Sequence, residues 1–367
     1  MARALVIGGT GPTGHFLVNG LRKRDYAVTI LHTGRHEVPE IPADVEHVHG
    51  DPFAPGALES LLGRRRFELC IATYGRLRRV AEAMAGRTGR FLSIGGVPAY
   101  KGLMNPALFA PAGLPVPVRE DAAKVEHEAE DAKGYRIVRT EAAVFAAQPA
   151  ATHFRYPYVY GPYQPAPREW CVVRRILDRR PWIVLPEDGL TLHHHGYAEN
   201  LAHAVLLAVD QPDASAGQIY HCADEEVLTL RQVVEIVATA LGASLEIVSM
   251  PWPLAVPARP LLAQPLPTHR VFDLGKIRSE LGYRDVVAPR EALARTAHWL
   301  VEHPPAPGGM EETVLQDPFD YPAEDRLVAA WRAALATLPA QEWVRPPGYT
   351  LSYSGPGGRA RSTAVFE

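Results

Sequence analysis

Hydrophobic positions in the first half of the chain fall into short unbroken runs that alternate with stretches of three-to-four spacing. Runs at residues 3–7, 27–32, 45–49, 68–73, 90–94 and 152–156 read as strands. Stretches at 13–23, 55–62, 76–85 and 122–147 read as helices. An unbroken apolar run is what a strand covered on both faces requires. Strand–helix–strand alternation with crossovers of this length predicts an α/β fold, a doubly wound parallel sheet. Beyond about residue 157 the spacing becomes irregular, with helices expected at 170–177, 197–209, 230–241, 274–281 and 289–301. Thr229 and Gln232 have the spacing of a capping box, a purely structural device. Residues 304–309, Pro-Pro-Ala-Pro-Gly-Gly, read as a linker. One amphipathic helix (Leu327, Val328, Trp331, Leu335) is expected to follow it, and then a Gly/Ser/Arg-rich end expected to be mobile.

The first strand runs into Gly8-Gly9-Thr10-Gly11-Pro12-Thr13-Gly14 and then into a helix. Three glycines at this spacing suit a dinucleotide pyrophosphate. Gly8 serves the tight turn, Gly11 the approach of backbone to phosphate, and Gly14 the close packing of helix on sheet. The helix N-terminus adds free N–H groups and the positive end of its dipole.

The chain has 367 residues, 47% of them hydrophobic, with a net charge of −3. That size accommodates a large domain with a smaller one attached. The charge, without a basic stripe, argues against nucleic acid as a partner. No apolar stretch approaches the ~18–20 residues of a membrane span, and the first strand begins too early to leave room for a signal peptide. Cys70, Cys171 and Cys222 are widely spaced and odd in number, as expected of reduced thiols in the cytoplasm. Adjacent side chains of the run His193-His194-His195 point to opposite sides of an extended chain, and no carboxylate or cysteine pair accompanies them. No metal is expected there.

Five ordered matches make the chain similar to the extended short-chain dehydrogenase/reductases of the NAD-dependent epimerase/dehydratase type. They are the glycine turn, Gly50-Asp51, the stretch from Arg155 to Pro162, that from His195 to Ala202, and that from Asp273 to Tyr283. The resemblance covers residues 1–303. It implies a Rossmann-type dinucleotide-binding domain at 1–160, its sheet completed by later segments, and a substrate-binding part at 161–303. An extension at 304–367 lies outside it. A small-molecule substrate, a nicotinamide cofactor passing near Pro157, adenine held by Asp51, and a homodimer through the helix at 122–147 are also implied.

The second strand ends Leu31-His32-Thr33-Gly34-Arg35-His36, without the carboxylate that holds an NAD ribose. Thr33 and Arg35 instead suit a 2′-phosphate, so NADP is expected ahead of NAD. Glu37 swinging in is the alternative.

The resemblance also implies a Tyr-x-x-x-Lys pair on one helix face and a Ser or Thr on the fifth strand. Tyrosine handles the hydroxyl proton, and a nearby cation lowers its pKa. Tyr135 and Arg139 have that spacing, with arginine in place of lysine, and Gly96 stands at the hydroxyl position while Ser93 lies earlier. Three readings stay open. Tyr135 works with Arg139 as its electrostatic helper; or catalysis has moved to Tyr100 or Lys101, with His127 a further candidate; or the site binds a dinucleotide without turning it over. The function expected is oxidoreduction at a carbinol or carbonyl carbon, with sugar epimerisation or dehydration as the alternative. Arg168, Trp170, Arg174 and Arg175 are candidates for gripping a substrate, and Arg259 and Arg270 lie where nucleotide-sugar enzymes carry a phosphate-binding arginine.

Overall fold

The computed structural model describes residues 1–345 and 347, with Phe53 and Tyr74 excepted. The Gly/Ser/Arg-rich end lies outside the described residues. The chain divides into two units, Met1–Phe319 and Asp320–Glu367.

In the first unit, strands β1 (Ala2–Ile7), β2 (Tyr26–His32), β3 (Glu46–His49), β4 (Phe67–Thr73), β5 (Thr88–Gly96) and β6 (Thr152–Tyr156) join a later strand in one sheet. β7 (Tyr158–Tyr160), β8 (Trp182–Pro186) and β9 (His195–Tyr197) lie outside it, and β10 (Ile219–His221) completes it. The order is β10-β6-β5-β4-β1-β2-β3, every pair parallel. The chain reverses direction across the sheet between β1 and β4, which opens a crevice beyond the carboxyl ends of the strands. β11 (Glu246–Met250) pairs with β8, and β7 with β9.

Strand alternation sorts the core into two layers. Ala4 and Val6 of β1 pack with α1 (Gly14–Arg22) on one face, while Leu5 and Ile7 pack with α2 (Ala57–Leu62) and α3 (Leu77–Met84) on the other. The helix expected at 122–147 is α4, Ala132–Ala147. Asp131 caps it by accepting from the amides of Lys133 and Gly134. The ten residues before it form a loop: Lys124 bridges to Tyr100, and Val125 buries its side chain.

α5 (Trp170–Leu177), α6 (Ala198–Asp210), α7 (Pro212–Ser215), α8 (Leu230–Ala240), α9 (Arg259–Leu262), α10 (Gly275–Leu281), α11 (Pro289–Glu302) and α12 (Met310–Leu315) follow. α6 joins α1 on its face of the sheet, whereas α5, α8 and α11 pack around β8 as a separate core. The stretch before Phe319 is tied to that core, since Trp170 donates to Glu312 at 3.0 Å and Arg175 to Asp317 at 2.8 Å. In the second unit, α13 (Tyr321–Ala336) carries Leu327, Val328, Trp331 and Leu335. Among the described residues no helix is long and apolar enough to cross a membrane.

Candidate functional site

The glycine turn is built as a cradle. Gly8 has φ +86° and donates to the Leu31 carbonyl, while Thr73 at the end of β4 donates to Ile7 O at 2.8 Å. A Cβ at Gly14 would lie 2.0 Å from Gly9 O, so the first residue of α1 packs directly on the backbone of the turn. At Gly11 a Cβ would meet only Gly8 O, at 3.9 Å, leaving that face open to a ligand. Thr10 and Pro12 are half-buried beside it, and Thr13 is the N-cap residue of α1, its side chain buried and making no cap bond. These residues fit a pyrophosphate: open backbone at Gly11, and helix N–H groups beyond it.

Beyond β2, Thr33 and Arg35 are exposed. Glu37 is drawn to histidines: it lies 3.2 Å from His47 Nδ1, 3.2 Å from His49 Nε2 and 3.6 Å from His32 Nε2. Asp51 is exposed after β3.

A cavity of about 520 Å³ lies over the ends of β5 and β6. Gly95, Gly96, Pro157 and Tyr158 form one side, and the face of α4 carrying Lys133, Ile137, Thr140 and Glu141 another. Tyr135 and Arg139 do not line it. They stack on each other, the guanidinium 5.8 Å from the ring, along a different face of α4. Gly134 fixes this roll, because a Cβ there would meet Pro98 O at 2.7 Å and Val125 at 2.6 Å. With position 134 against that loop, residues 133 and 137 turn toward the cavity and 135 and 139 away from it. The i, i+4 series facing the cavity is therefore Lys133, Ile137 and Glu141.

The other catalytic candidates also lie elsewhere. Tyr100 is fully buried, its hydroxyl bonded to His221 and to Arg155, and burial pushes its pKa up. Lys101 pairs with Glu130 at 2.5 Å. His127 is exposed, and Ser93 is sealed within β5, 2.7 Å from His153 Nδ1. Beneath the cavity Arg155 grips Glu141 with two bonds of 2.7 and 2.6 Å. Burial alone would raise the Glu141 pKa, but the bonds and charge of Arg155, with His153 adding to them, hold it at about 2.

The far wall is cationic and incompletely paired. Arg270 is 6% exposed; one nitrogen donates to Leu103 O while Nε has no partner, and burial, then the charge of Arg168, lowers its pKa. Arg168 lies 3.6 Å above the Tyr158 ring, with Nη1 sealed from solvent and unbonded. His193 faces the same space with Nδ1 unbonded, and burial drives its pKa well below the usual histidine value. By contrast, His194 uses both ring nitrogens within the protein, on Asp224 O and the Phe272 amide. Arg174 pairs with Glu312 and Arg175 with Asp317, and Trp170 is buried, so of that quartet Arg168 alone lines the cavity. The sequence offered no marker for Lys133 or for the meeting of Arg168 with Arg270, which lie in separate loops. Arg259 begins α9 and is not on the cavity wall.

The solved structures similar to this chain share its architecture. The enzyme WbmG of Bordetella bronchiseptica in complex with NAD superposes with a TM-score of 0.64 at 16% identity, over 82% of this chain and 94% of that one. UDP-glucuronic acid 4-epimerase from Bacillus cereus in complex with NAD gives 0.63 at 15%, over 82% and 99%. The dTDP-glucose 4,6-dehydratase of Bacillus anthracis in complex with NAD gives 0.62 at 15%, over 82% and 97%. The fold is that of these epimerases and dehydratases. No family model matches the chain. In sequence it is similar to the uncharacterized protein y4nL of Sinorhizobium fredii, 27% identical over 170 residues, 41% of this chain and 47% of that protein. It is also similar to the uncharacterized protein YbjS of Escherichia coli, 30% identical over 140 residues, 33% and 42% of the two. The chain thus spans less than half the length of either curated relative in these matches.

Proposed function

We propose that this chain is a pyridine-nucleotide-dependent oxidoreductase, or an epimerase or dehydratase using the same cofactor, that acts on an anionic small molecule. The carrying observation is the cavity wall formed by Arg168 and Arg270. Buried guanidinium nitrogens without an acceptor, Nη1 of Arg168 and Nε of Arg270, are costly, and a carboxylate or phosphate on the substrate would supply charge and acceptors. The likeness to NAD-bound structures and the open face at Gly11 support the cofactor. When bound, a nicotinamide supplies a two-electron carrier. The exposed Thr33 and Arg35, with Glu37 held among histidines, favour a 2′-phosphate and hence NADP.

Within the cavity, Arg168 and Arg270 would bind and orient the anionic end, and Tyr158 and Phe272 would exclude water. Lys133, whose ammonium has no ion partner among the described residues, is our candidate for moving the proton, in place of Tyr135. A second reading, a nucleotide-binding protein without turnover, draws on Ile137. An aliphatic side chain at that place has no donor or acceptor for ribose hydroxyls and no charge to assist a neighbouring acid.

Titration of the purified full chain with NADPH and NADH, followed by consumption of the reduced nucleotide with carboxylated and phosphorylated carbonyl compounds, separates the readings. Turnover that falls at least a hundredfold in Lys133→Met, with nucleotide affinity kept, is the expected result. Binding without turnover of any compound favours the second reading, and absence of nucleotide binding removes both.

A further inference from the structure

At the outer edge of the sheet three imidazoles and a carboxylate converge, outside the cavity and unused by the proposed chemistry. His47 and His49 alternate along β3 and so share a face. Parallel pairing sets His32 opposite His49 and Ile30 opposite His47, which puts His32 on that face too. Gly34, at φ +72°, turns the chain back and makes room for the His49 ring, since a Cβ there would lie 3.2 Å from its Cγ. The returning loop delivers Glu37.

We propose that His32, His47, His49 and Glu37 form a site for a divalent ion of the zinc type. Their ligand atoms all lie within 4.8 Å of one another. His32 Nε2 is 3.1 Å from His47 Nδ1, and Glu37 approaches the three rings at 3.2, 3.2 and 3.6 Å. Zinc bonds of about 2.0–2.1 Å in a tetrahedron place neighbouring ligand atoms about 3.3 Å apart. The four spacings from 3.1 to 3.6 Å are close to that value, and separations of up to 4.8 Å have to close on binding. Nitrogen and carboxylate donors suit zinc, whereas calcium and magnesium take oxygen. The His32 side chain is 4% exposed, a fixed inner ligand, while His49 and Glu37 are 55% and 51% exposed and leave a path for entry. Binding through Nε2 puts the His32 ring proton on Nδ1, so the 3.3 Å contact from the Gly34 amide to Nδ1 opens. The site shares Glu37 and its loop with the argument for NADP, so its test reads metal binding with no nucleotide present.

The test uses the chelator-treated full chain. Titration with Co²⁺ is expected to give the intense visible bands of a four-coordinate ion, saturating at one equivalent and abolished by Zn²⁺. Zn²⁺ alone is expected to raise the melting temperature. His49→Ala and Glu37→Gln, both at exposed positions, are each expected to weaken Co²⁺ binding at least tenfold while their zinc-free melting curves stay close to wild type. Cobalt spectra that remain those of the six-coordinate aqua ion would overturn the proposal. Stoichiometric binding unchanged in both variants would also overturn it.

Discussion

The glycine turn and the cavity wall face the same edge of the sheet, yet they are held in opposite ways. In the turn every close approach is closed by protein: Gly14 against Gly9, Thr73 on Ile7 O, Gly8 on Leu31 O. In the wall, nitrogens of Arg168, Arg270 and His193 are sealed away without partners. The first region is stable because backbone fits backbone. The second leaves an electrostatic cost that a ligand of opposite charge would relieve. A binding region of this fold can thus combine a self-sufficient half with one that is complete only when occupied.

Four substitutions probe that contrast, in descending order of expected effect. Gly14→Ala forces the turn apart and should cost about 3 kcal/mol or more, with nucleotide affinity falling over a hundredfold in a binding titration. Wild-type affinity in that variant would move the pyrophosphate away from the turn. Glu141→Gln strands the buried Arg155 charge and should destabilise by about 3 kcal/mol in denaturant unfolding. The same pair sets an acid limb. The Glu141 pKa falls from 4.5 unfolded to about 2 folded, so its contribution is fully present above the unfolded value and is lost as pH falls through the folded one. That loss is on the order of 3 kcal/mol, and stability measured below pH 4.5 should flatten in the variant.

Arg270→Met should behave in the reverse sense on the other side of the cavity. Affinity for carboxylated or phosphorylated ligands should fall at least tenfold by calorimetry, while the unliganded protein keeps its stability or gains about 1 kcal/mol. A clear loss of stability would mean that Arg270 is structural and would bring the two regions closer in kind. Thr73→Val should be mildest, about 1 kcal/mol for its bond to Ile7 O, read as a small drop in melting temperature.

What the sequence disclosed follows the same division. The apolar runs and the glycine spacing marked the parallel sheet and its first turn, because both depend on neighbours in the chain. The roll of α4 was not legible: an i, i+4 pair exists on every helical face, and the selection of Lys133 over Tyr135 rests on Gly134 meeting Pro98, a contact across 36 residues. The start of α4 was overextended because the loop before Asp131 carries helix-forming alanines and glutamates. The histidines teach a related lesson. The consecutive run at 193–195 drew attention, but alternation sends His194 away from His193 and His195, whose rings meet at 4.7 Å, and His194 is satisfied within the protein. His-x-His on β3 with a histidine ending β2 was the better signal, visible only once register was known.

The unpaired guanidiniums of Arg168 and Arg270 have a practical consequence at the bench. Phosphate, citrate or sulfate in a purification buffer carries the charge that this wall lacks, so kinetics recorded in such media would report competition from the buffer as weak substrate affinity. Uncharged or zwitterionic buffers with chloride as counter-ion are the appropriate medium for finding what the cavity was built to hold.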